Sequence, residues 1–466
     1  MPLALLYLKA HLVRFGGVDA SSVTIEEFTK DADAEAIARA VVAGKPDVVG
    51  MSCYIWNCVT LLDAAQRIRA ALPDVKIVLG GPEVGPVAEA VLARNRCVDA
   101  IVRSEGEEPF RDLVVCIRDH GEIAEVAGIT YRCGDRIVSN PDAPIQRDLN
   151  YVTSPHLLGY VDHRNRIVCL ETQRGCVFTC NFCFYNKDYS IRNRRFDLPR
   201  VKEEILFWLD QDIHEIYLMD PVFNLNAARS KEILRFIIEH NHRRVQFHTE
   251  VWAEFIDDEM AELFAQANFL FLEVGLQSSD HAVLEAAERR HRPEAFLEGI
   301  GFLKKHKLTF ELQLIAGLPG DTRESFIESL NFAATLNPPT LAVFGLMILP
   351  GTELWRKADE LDVKYDANPP YLVRSHKTMN ESDLVWVHEM AHAARTLWRF
   401  YVLRLLSRAN KQCTYSGMVE EWNAWNPGSP DFAQVKERLL EFIQHYCDRH
   451  DVDPQFFLTA ASVELR

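Results

Sequence analysis

Short apolar runs rich in valine and isoleucine alternate with amphipathic segments along residues 1 to about 120. The runs DVVGMSC, KIVLGG and DAIVRS are typical of buried parallel strands, and SVTIEEF is predicted to form a further strand. Helical spacing occurs from Pro2 to about Arg14 and in the segments between the runs. The alternation predicts an α/β, Rossmann-like, doubly wound sheet in residues 1–125.

Two further regions follow with different patterns. Residues 126–165 carry several prolines and the predicted hairpin GITYRCGDRIVS, so they are predicted to form a linker. From 166 to 355 six strand–helix steps predict an incomplete (β/α)6 barrel, open on one side. Its predicted strands are RIVCLETQ, EIYLMD, VQFHTEV, FLFLEVGL, TFELQLIAGLP and TLAVFGLMIL. Residues 356–466 are predicted to form a helical domain.

Composition restricts the classes of function. The net charge is −16, which disfavours nucleic acid as a partner, and no basic run or basic amphipathic helix indicates a membrane surface. The start MPLALLYLKAHL has a short apolar part that Lys9 interrupts, and no cleavage site follows, so a signal peptide is not expected. We expect a cytoplasmic protein, whose 11 cysteines are a poor disulfide framework because their number is odd.

One cysteine group stands out by its spacing. Cys176, Cys180 and Cys183 form a C-x3-C-x2-C pattern directly after the first predicted barrel strand. Three thiolates can hold three irons of a four-iron cubane and leave the fourth iron open. Two alternatives exist: the spacing also fits one face of a helix, and zinc binds cysteine, although it normally takes four ligands. The flanking Arg174 and Gly175 favour a loop over a helix.

The segment RGCVFTCNFCFYN resembles the signature of the radical S-adenosylmethionine (SAM) superfamily. MDPVFN, FHTEV, VGLQS, AGLPGDT and LPGTEL, which end successive strands, resemble further segments of that family. The resemblance implies a [4Fe-4S] cluster on the three cysteines that cleaves SAM to a 5′-deoxyadenosyl radical, with an electron donor such as flavodoxin or ferredoxin. The SAM-contacting positions it implies are Phe182, Asp220, Glu250, Glu273, Gln277, Ser278, Gly317 and Leu349.

The N-terminal half resembles the cobalamin-binding domain of one radical SAM subclass, through VVGMSCYIWN, LGGPEVGP and RSEGEEPF. The resemblance implies that cobalamin is bound at the strand ends, by Ser52, Tyr54, Trp56, Gly80, Gly81, Glu83 and Glu107. Two departures are noted: there is no D-x-H-x-x-G motif to supply an axial histidine, and the usual first strand of the sheet is absent. The alternative is a sheet that only covers the barrel.

The expected reaction is cobalamin-dependent methylation of an unactivated carbon of a small molecule. A radical rearrangement, a ring closure or transfer of another SAM fragment without cobalamin remain alternatives. A zinc hydrolase is a remote one, because His388, Glu389 and His392 match the H-E-x-x-H pattern. A non-catalytic partner is a third class, against which the intact cysteine triad speaks. Just past the cysteines, Tyr185, Lys187 and Arg192 could reach a carboxylate.

Overall fold

The N-terminal region of this computed structural model, which describes residues 1–161, 167–185, 193–409, 412–428 and 430–465, is one five-stranded sheet in the order β1-β2-β3-β4-β5. Strands β1 to β3 are parallel, while β4 and β5 are antiparallel. The elements are α1 (Leu3–Gly16), α2 (Ala34–Ala43), β1 (Val48–Ser52), α3 (Cys58–Ala71), β2 (Lys76–Gly80), α4 (Ala88–Arg94), β3 (Ala100–Val102), α5 (Glu107–Arg118), β4 (Ile129–Cys133) and β5 (Arg136–Ser139).

Apolar clusters on both faces of this sheet confirm the doubly wound arrangement, since side chains that alternate along β2 enter different clusters: Ile77 and Leu79 enter one, and Val78 the other. The predicted hairpin also forms. It is not separate from the sheet, because β4 pairs with β3 through Ala100 and Tyr131.

The predicted strand SVTIEEF is wrong. Residues 23–29 have no regular structure, and a side-chain contact takes the place of strand pairing there, since Lys9 Nζ donates to the Val23 carbonyl at 2.7 Å. The segment has three apolar side chains among polar ones, and its Glu26 and Glu27 are exposed. The segment therefore lies along α1, and β1 forms the edge of the sheet in the described chain.

The barrel has six parallel strands in the order β13-β12-β11-β10-β9-β6, so β6 and β13 flank an open side, as predicted. Its elements are β6 (Ile167–Leu170), β7 (Gln173–Arg174), β8 (Arg194–Arg195), α6 (Leu198–Leu209), β9 (Glu215–Leu218), α7 (Ala227–His240), β10 (Gln246–Val251), α8 (Asp258–Gln266), β11 (Phe269–Gln277), α9 (His281–Ala286), α10 (Pro293–Lys305), β12 (Phe310–Ala316), α11 (Arg323–Leu336), β13 (Thr340–Gly345) and α12 (Glu353–Arg356).

Alternate residues of each barrel strand enter the buried apolar core, and the residues between them are polar and partly accessible. In β12, for example, Leu312 and Leu314 are buried, whereas Glu311 and Gln313 face the barrel interior beside Glu273. The barrel interior is therefore lined by charged and amide groups that a polar cofactor can contact.

The C-terminal region is a short hairpin followed by five helices. The elements are β14 (Lys364–Tyr365), β15 (Val373–Ser375), α13 (Glu381–Trp398), α14 (Tyr401–Leu406), α15 (Tyr415–Trp425), α16 (Phe432–His450) and α17 (Gln455–Glu464). Helix α13 starts with a capping box, in which Asn380 and Asp383 each accept a hydrogen bond from the other's backbone NH at 3.1 Å. It packs against β13 at the open side of the barrel.

One apolar core joins the barrel, the C-terminal helices and α1, whose Leu3, Leu6 and Tyr7 are buried in it. Helix α1 therefore belongs structurally to both halves of the chain, because it also packs against α5 of the N-terminal sheet. No helix in the described ranges has the length and apolarity that a membrane span requires.

Candidate active site

The three cysteines lie in a loop that follows β6 and β7 and has no regular secondary structure, which contradicts the helical alternative. All three are free thiols, with Cys180 buried and the other two half-buried. Neighbouring backbone fixes the loop: Asn181 N donates to Ala287 O at 3.0 Å, and Leu354 N donates to Asn181 O at 2.9 Å. The loop is thus anchored to the ends of two distant segments of the barrel.

Burial raises the pKa of the Cys183 thiol to about 12 and also raises that of Cys176, and the other cysteines of the loop raise both further. Such thiols ionise readily only when a cation neutralises them. Arg289 supplies one nearby positive charge, since its Nη1 lies 3.9 Å from Cys180 Sγ.

This donor set fits an iron–sulfur cubane better than a single ion. The thiols are close enough to raise one another's pKa, yet the described ranges contain no group of three His, Cys, Asp or Glu side chains that could hold one metal ion. A cubane spreads its cysteine ligands over separate irons. A zinc site at the cysteines, the second alternative from the sequence, therefore has no support.

Inside the barrel, Glu250 and Glu273 are neighbours on adjacent strands. His248 Nε2 and Gln313 Nε2 each donate to Glu273 at 2.8 Å, and these bonds outweigh burial and lower the pKa of Glu273. Burial and the charge of Glu273 raise the pKa of Glu250 to about 7. Tyr217 lies beside Glu250, with its hydroxyl 3.5 Å from Oε1, and stacks on His248. The Glu250–Glu273 pair thus combines one ionised carboxylate with one that titrates near neutrality.

At the end of β11, Gln277 has a positive φ of 72°, and its Oε1 is buried without a hydrogen-bond partner among the described residues. An orphaned buried acceptor of this kind is what a donor group of a bound cofactor would satisfy. Ser278, by contrast, hydrogen-bonds to Ser329 of α11 at 3.1 Å and is turned away from the interior.

Asp220 is fully buried, and its carboxylate accepts hydrogen bonds from Thr172 N at 2.7 Å, Gln173 N at 3.2 Å and the Thr172 hydroxyl. It holds the backbone that leads from β6 into the cysteine loop. Burial raises its pKa to about 6, although these bonds oppose the shift. Its predicted contact with SAM remains a prediction.

Three other predicted positions lie around the barrel mouth. Phe182 is half-buried in the cysteine loop. The Leu349 carbonyl accepts from Thr352 N at 3.2 Å and from the Thr352 hydroxyl at 2.8 Å. Gly317 packs against α13, because a Cβ there would lie 2.8 Å from Leu384 Cδ2.

The predicted cobalamin positions lie at the carboxyl ends of β1, β2 and β3. Ser52 and Gly80 are paired there, and Tyr54 stacks on Trp56 with ring centroids 4.6 Å apart, although Trp56 is 69% exposed. Gly81 has a φ of 104°, and a Cβ there would lie 2.5 Å from Cys53 O. A turn this close to the backbone of the neighbouring loop requires glycine, and it leaves a shallow edge that a large ligand can approach.

This edge faces the mouth of the barrel. The Tyr371 hydroxyl donates to Glu83 across the interface, and a Cβ on Gly351 would lie 2.6 Å from Pro86 Cβ. Glu107 pairs with Arg174, which precedes the first cluster cysteine by two positions. The structure therefore brings the strand ends of both domains together, which the sequence patterns treat separately.

The H-E-M-A-H residues lie on α13 in a different setting. His392 Nε2 donates to Pro430 O at 2.9 Å, His388 packs against Gly345, and Glu389 is exposed. No third ligand stands near them in the part of the chain that the structure describes, so the zinc hydrolase alternative has no support. Of the residues predicted just past the cysteines, Tyr185 is 38% exposed, whereas Lys187 and Arg192 lie outside the described residues.

Several residues of the site were missed by the sequence analysis, namely Tyr217, His248, Arg289, Tyr371 and Glu105. The sequence did carry a signal for Tyr217 and His248. His248 lies two positions before Glu250 and therefore on the same face of its strand, and Tyr217 lies three positions before Asp220. Arg289 and Tyr371 lie in loops that carry no such periodicity.

Comparison with known proteins agrees with this geometry. Residues 170–333 match the family model of the radical SAM superfamily, and residues 1–114 match that of the B12 binding domain. The cobalamin-dependent radical SAM methyltransferase TokK of Streptomyces tokunonensis is 28% identical over 333 residues, 66% of this chain. The chain spans about half of that relative, 48% of its length.

Two solved structures share the fold. The radical SAM methyltransferase TsrM from Kitasatospora setae, with cobalamin and a [4Fe-4S] cluster bound, has a TM-score of 0.65 at 18% identity, over 82% of this chain and 78% of TsrM. The cobalamin-dependent radical enzyme OxsB, with aqua-cobalamin and SAM bound, has a TM-score of 0.69 at 14% identity, over 99% of this chain and 76% of OxsB. At these identities the likeness concerns the fold.

Proposed function

Because the chain belongs to the radical SAM superfamily, in the subclass with a B12-binding domain, we propose that it methylates an unactivated carbon of a small molecule. The observation that carries the proposal is the meeting of two strand-end edges, joined by the contacts of Glu83 with Tyr371 and of Glu107 with Arg174. A methyl carrier and a radical source must both reach one substrate, and this arrangement puts both predicted cofactor sites at one interface.

Cys176, Cys180 and Cys183 would hold the [4Fe-4S] cluster, which when bound supplies the electron that cleaves SAM reductively. The chain's own contribution is to fix the loop through Asn181 and to keep the thiols out of water, so that they ionise only when iron binds. Arg289 places a positive charge next to Cys180.

The barrel interior would bind SAM through its carboxylates and through an amide oxygen. Ionised Glu273, held by His248 and Gln313, and titrating Glu250 offer negative charge to a cationic cofactor. The unpartnered Oε1 of Gln277 accepts a hydrogen bond from an amine or hydroxyl.

Cobalamin would lie against the edge formed by Gly81 and by the stacked rings of Tyr54 and Trp56, where it supplies methyl transfer when bound. The large exposed area of Trp56 supports this role, since an exposed aromatic ring at this edge is suited to cover a flat ligand. The chain's contribution is to position this edge.

The proposal includes a one-electron donor such as flavodoxin or ferredoxin and a cytoplasmic location, with neither nucleic acid nor a membrane as partner. The net charge of −16 supports the expectation that nucleic acid is not a partner, because negative charge on the protein repels phosphate groups.

Metal content after anaerobic reconstitution with iron, sulfide and hydroxocobalamin tests the proposal. We expect about four irons and one cobalt per chain, and SAM cleavage that requires a reductant. Replacing Cys176, Cys180 and Cys183 together by alanine should remove the iron and all cleavage, whereas Cys133→Ala, at an exposed cysteine of the β4–β5 hairpin, should change neither.

Cleavage that survives in the triple variant would overturn the central claim. Four irons without cobalt would retain the radical enzyme and contradict methyl transfer through cobalamin, in favour of rearrangement, ring closure or transfer of another SAM fragment.

A further inference from the structure

Helix α13 closes on the edge strand β13, and a glycine at the strand end sets the distance between them. A Cβ on Gly345 would lie 2.7 Å from Leu372 Cδ1 and 3.3 Å from the His388 ring, so only glycine lets both side chains approach the strand end. Gly345, Leu372 and His388 also line a cavity of about 250 Å³ between the helix and the strand.

The cavity has two chemically distinct walls. Phe344, Met347 and Leu372 form an apolar wall, and α13 contributes His388, His392 and Arg395 at successive turns. The described lining contains no aspartate or glutamate. That contrasts with the nearby barrel interior, where Glu250, Glu273 and Glu311 lie.

Arg395 carries the positive charge of this wall. It is exposed, and its charge opposes the burial that raises the pKa of the Glu311 carboxyl, but no carboxylate in the described ranges lies within ion-pairing distance, whereas Arg323 near the start of α13 pairs with Asp383 at 2.7 Å. A guanidinium of fixed charge that lines a cavity without a direct ion pair is suited to bind an anionic group with two oxygens.

His388 adds hydrogen-bonding surface rather than further charge. Burial lowers its pKa, the Arg374 guanidinium lowers the pKa further, and Asp366 opposes this shift. His392 is fixed by its bond to Pro430 O. A single guanidinium beside a neutral imidazole matches a monoanion such as a carboxylate better than a doubly charged phosphate.

The position of Phe344 links the cavity to the reaction site. Its partner across the β12–β13 register is Ile315, two residues past Gln313, which hydrogen-bonds to Glu273 in the interior. Phe344 is 42% exposed on that face. Phe344 therefore lines the cavity from the strand face that continues the interior face of β12.

We propose that this cavity binds the carboxylate end of the substrate, with Arg395 as counter-ion and the apolar part of the substrate against Phe344, Met347 and Leu372. The identification of the ligand as the substrate rests on the proposed function, whereas the carboxylate-binding site itself does not depend on it. The volume is below the roughly 300–1,000 Å³ of sites that enclose a whole drug-sized ligand, so the cavity holds one end of the molecule and leaves the other in the barrel.

Equilibrium binding of phenylacetate to the reconstituted protein, measured by ligand-observed NMR, tests the site. Phenylacetamide is the uncharged probe of the same shape. We expect phenylacetate to bind about tenfold more tightly than the amide, because a charged hydrogen-bonded pair is removed in the amide. Arg395→Gln should abolish the difference and Arg395→Lys should restore part of it, since lysine keeps the charge without the fork. Arg399→Gln, at the exposed arginine that directly follows the last residue of α13 and contacts Phe432, is the matched control and should bind as the unchanged protein does.

Equal binding of the two probes, or undiminished phenylacetate binding by Arg395→Gln, would overturn the proposal. Displacement by inorganic phosphate at equal concentration would show a general anion site, and displacement by SAM would assign the site to the cofactor's own carboxylate; either result also overturns it. Failure of the proposed function is separate, because it would appear as absent SAM cleavage in the unchanged protein.

Discussion

The Nη1 atom of Arg174 lies 2.7 Å from Glu107 Oε1, so the residue two positions before the first cluster cysteine is bound to the first residue of α5. The Nε atom of Arg174 lies 2.9 Å from Glu171, and its guanidinium lies over the Tyr7 ring at 4.9 Å. Burial raises the pKa of Glu107, but Arg174 outweighs it, so the pKa is lowered. This buried group of ion pairs also includes Glu105 and Arg194. It ties the cysteine loop to the N-terminal domain.

Arg174→Gln should destabilise the protein strongly. Removing one partner of a buried ion pair leaves uncompensated charge, here on Glu107 and Glu171, and costs about 3–5 kcal/mol. Denaturant unfolding measures the loss. The control Arg235→Gln removes an exposed pair with Glu259 and should cost about 1 kcal/mol or less. Equal stability of the two variants would show that the buried cluster does not hold the domains.

SAM affinity should rise with pH through Glu250. Its pKa is raised to about 7 by burial and by Glu273, so the carboxyl is mostly neutral at about pH 6 and mostly ionised at about pH 8. Only the ionised form attracts a cationic cofactor, which predicts a rise in affinity of up to about tenfold over this range. Equilibrium SAM binding measures it.

Glu250→Gln should flatten that pH profile, and Glu285→Gln, an exposed residue of α9, should keep it. A profile that is unchanged in Glu250→Gln would assign the titration to another group and remove Glu250 from the cofactor site.

Stability should fall in acid because of His156. Its Nδ1 accepts a hydrogen bond from Trp208 Nε1 at 3.1 Å, and burial lowers its pKa from 6.5 to about 3. Between these values the unfolded chain binds a proton that the folded chain excludes. The free energy of unfolding therefore decreases by about 1.4 kcal/mol per pH unit as the pH falls below 6.5, from this residue alone.

His156→Gln keeps an acceptor for Trp208 and removes the titration, so its stability should depend less steeply on pH than that of the unchanged protein. Unfolding curves between about pH 6 and about pH 4 measure the slopes. His242→Gln, at an exposed histidine, should retain the original slope. Parallel curves for the His156 variant and the unchanged protein would refute the assignment.

Gly81→Ala should impair cobalamin binding selectively. The φ of 104° and the contact with Cys53 O force the turn to move, at a cost of about 1–3 kcal/mol from strain alone. Cobalt per chain after reconstitution should fall while iron is retained. Gly134→Ala, with φ of 60° and no atom within 4 Å of the added Cβ, is the control that should keep its cobalt. Equal cobalt in both variants would exclude this turn from the binding edge.

The elements with a strong period could be predicted from the sequence, and contacts between distant segments could not. The six barrel strands and the cysteine loop follow from local alternation and from one short motif. SVTIEEF has the composition of a strand, but a strand also needs a neighbouring strand with which to form hydrogen bonds. The Val23 carbonyl instead accepts a hydrogen bond from Lys9 Nζ. The pattern at H-E-M-A-H predicts a helix correctly, whereas the bond of His392 to Pro430 O depends on tertiary packing.

The candidate site divides in the same way. The cysteines are sufficient to indicate iron–sulfur chemistry, because their spacing is local. Arg174 and Glu107 each lie in a segment that the sequence analysis identifies. Nothing in either segment indicates that the two side chains form an ion pair, because they are far apart along the chain. The hydrogen bond of Ser278 to Ser329 likewise depends on tertiary packing, and its predicted contact with SAM remains a prediction.

Helix α1 has a practical consequence for anyone who wishes to exchange the N-terminal domain between related proteins. Leu3, Leu6 and Tyr7 are part of the barrel's core. An exchange of residues 1–139 would therefore replace three side chains of the core of the barrel that is retained. A chimera should therefore carry its first helix from the same parent as its barrel, and the remaining strands of the N-terminal sheet can then come from the other.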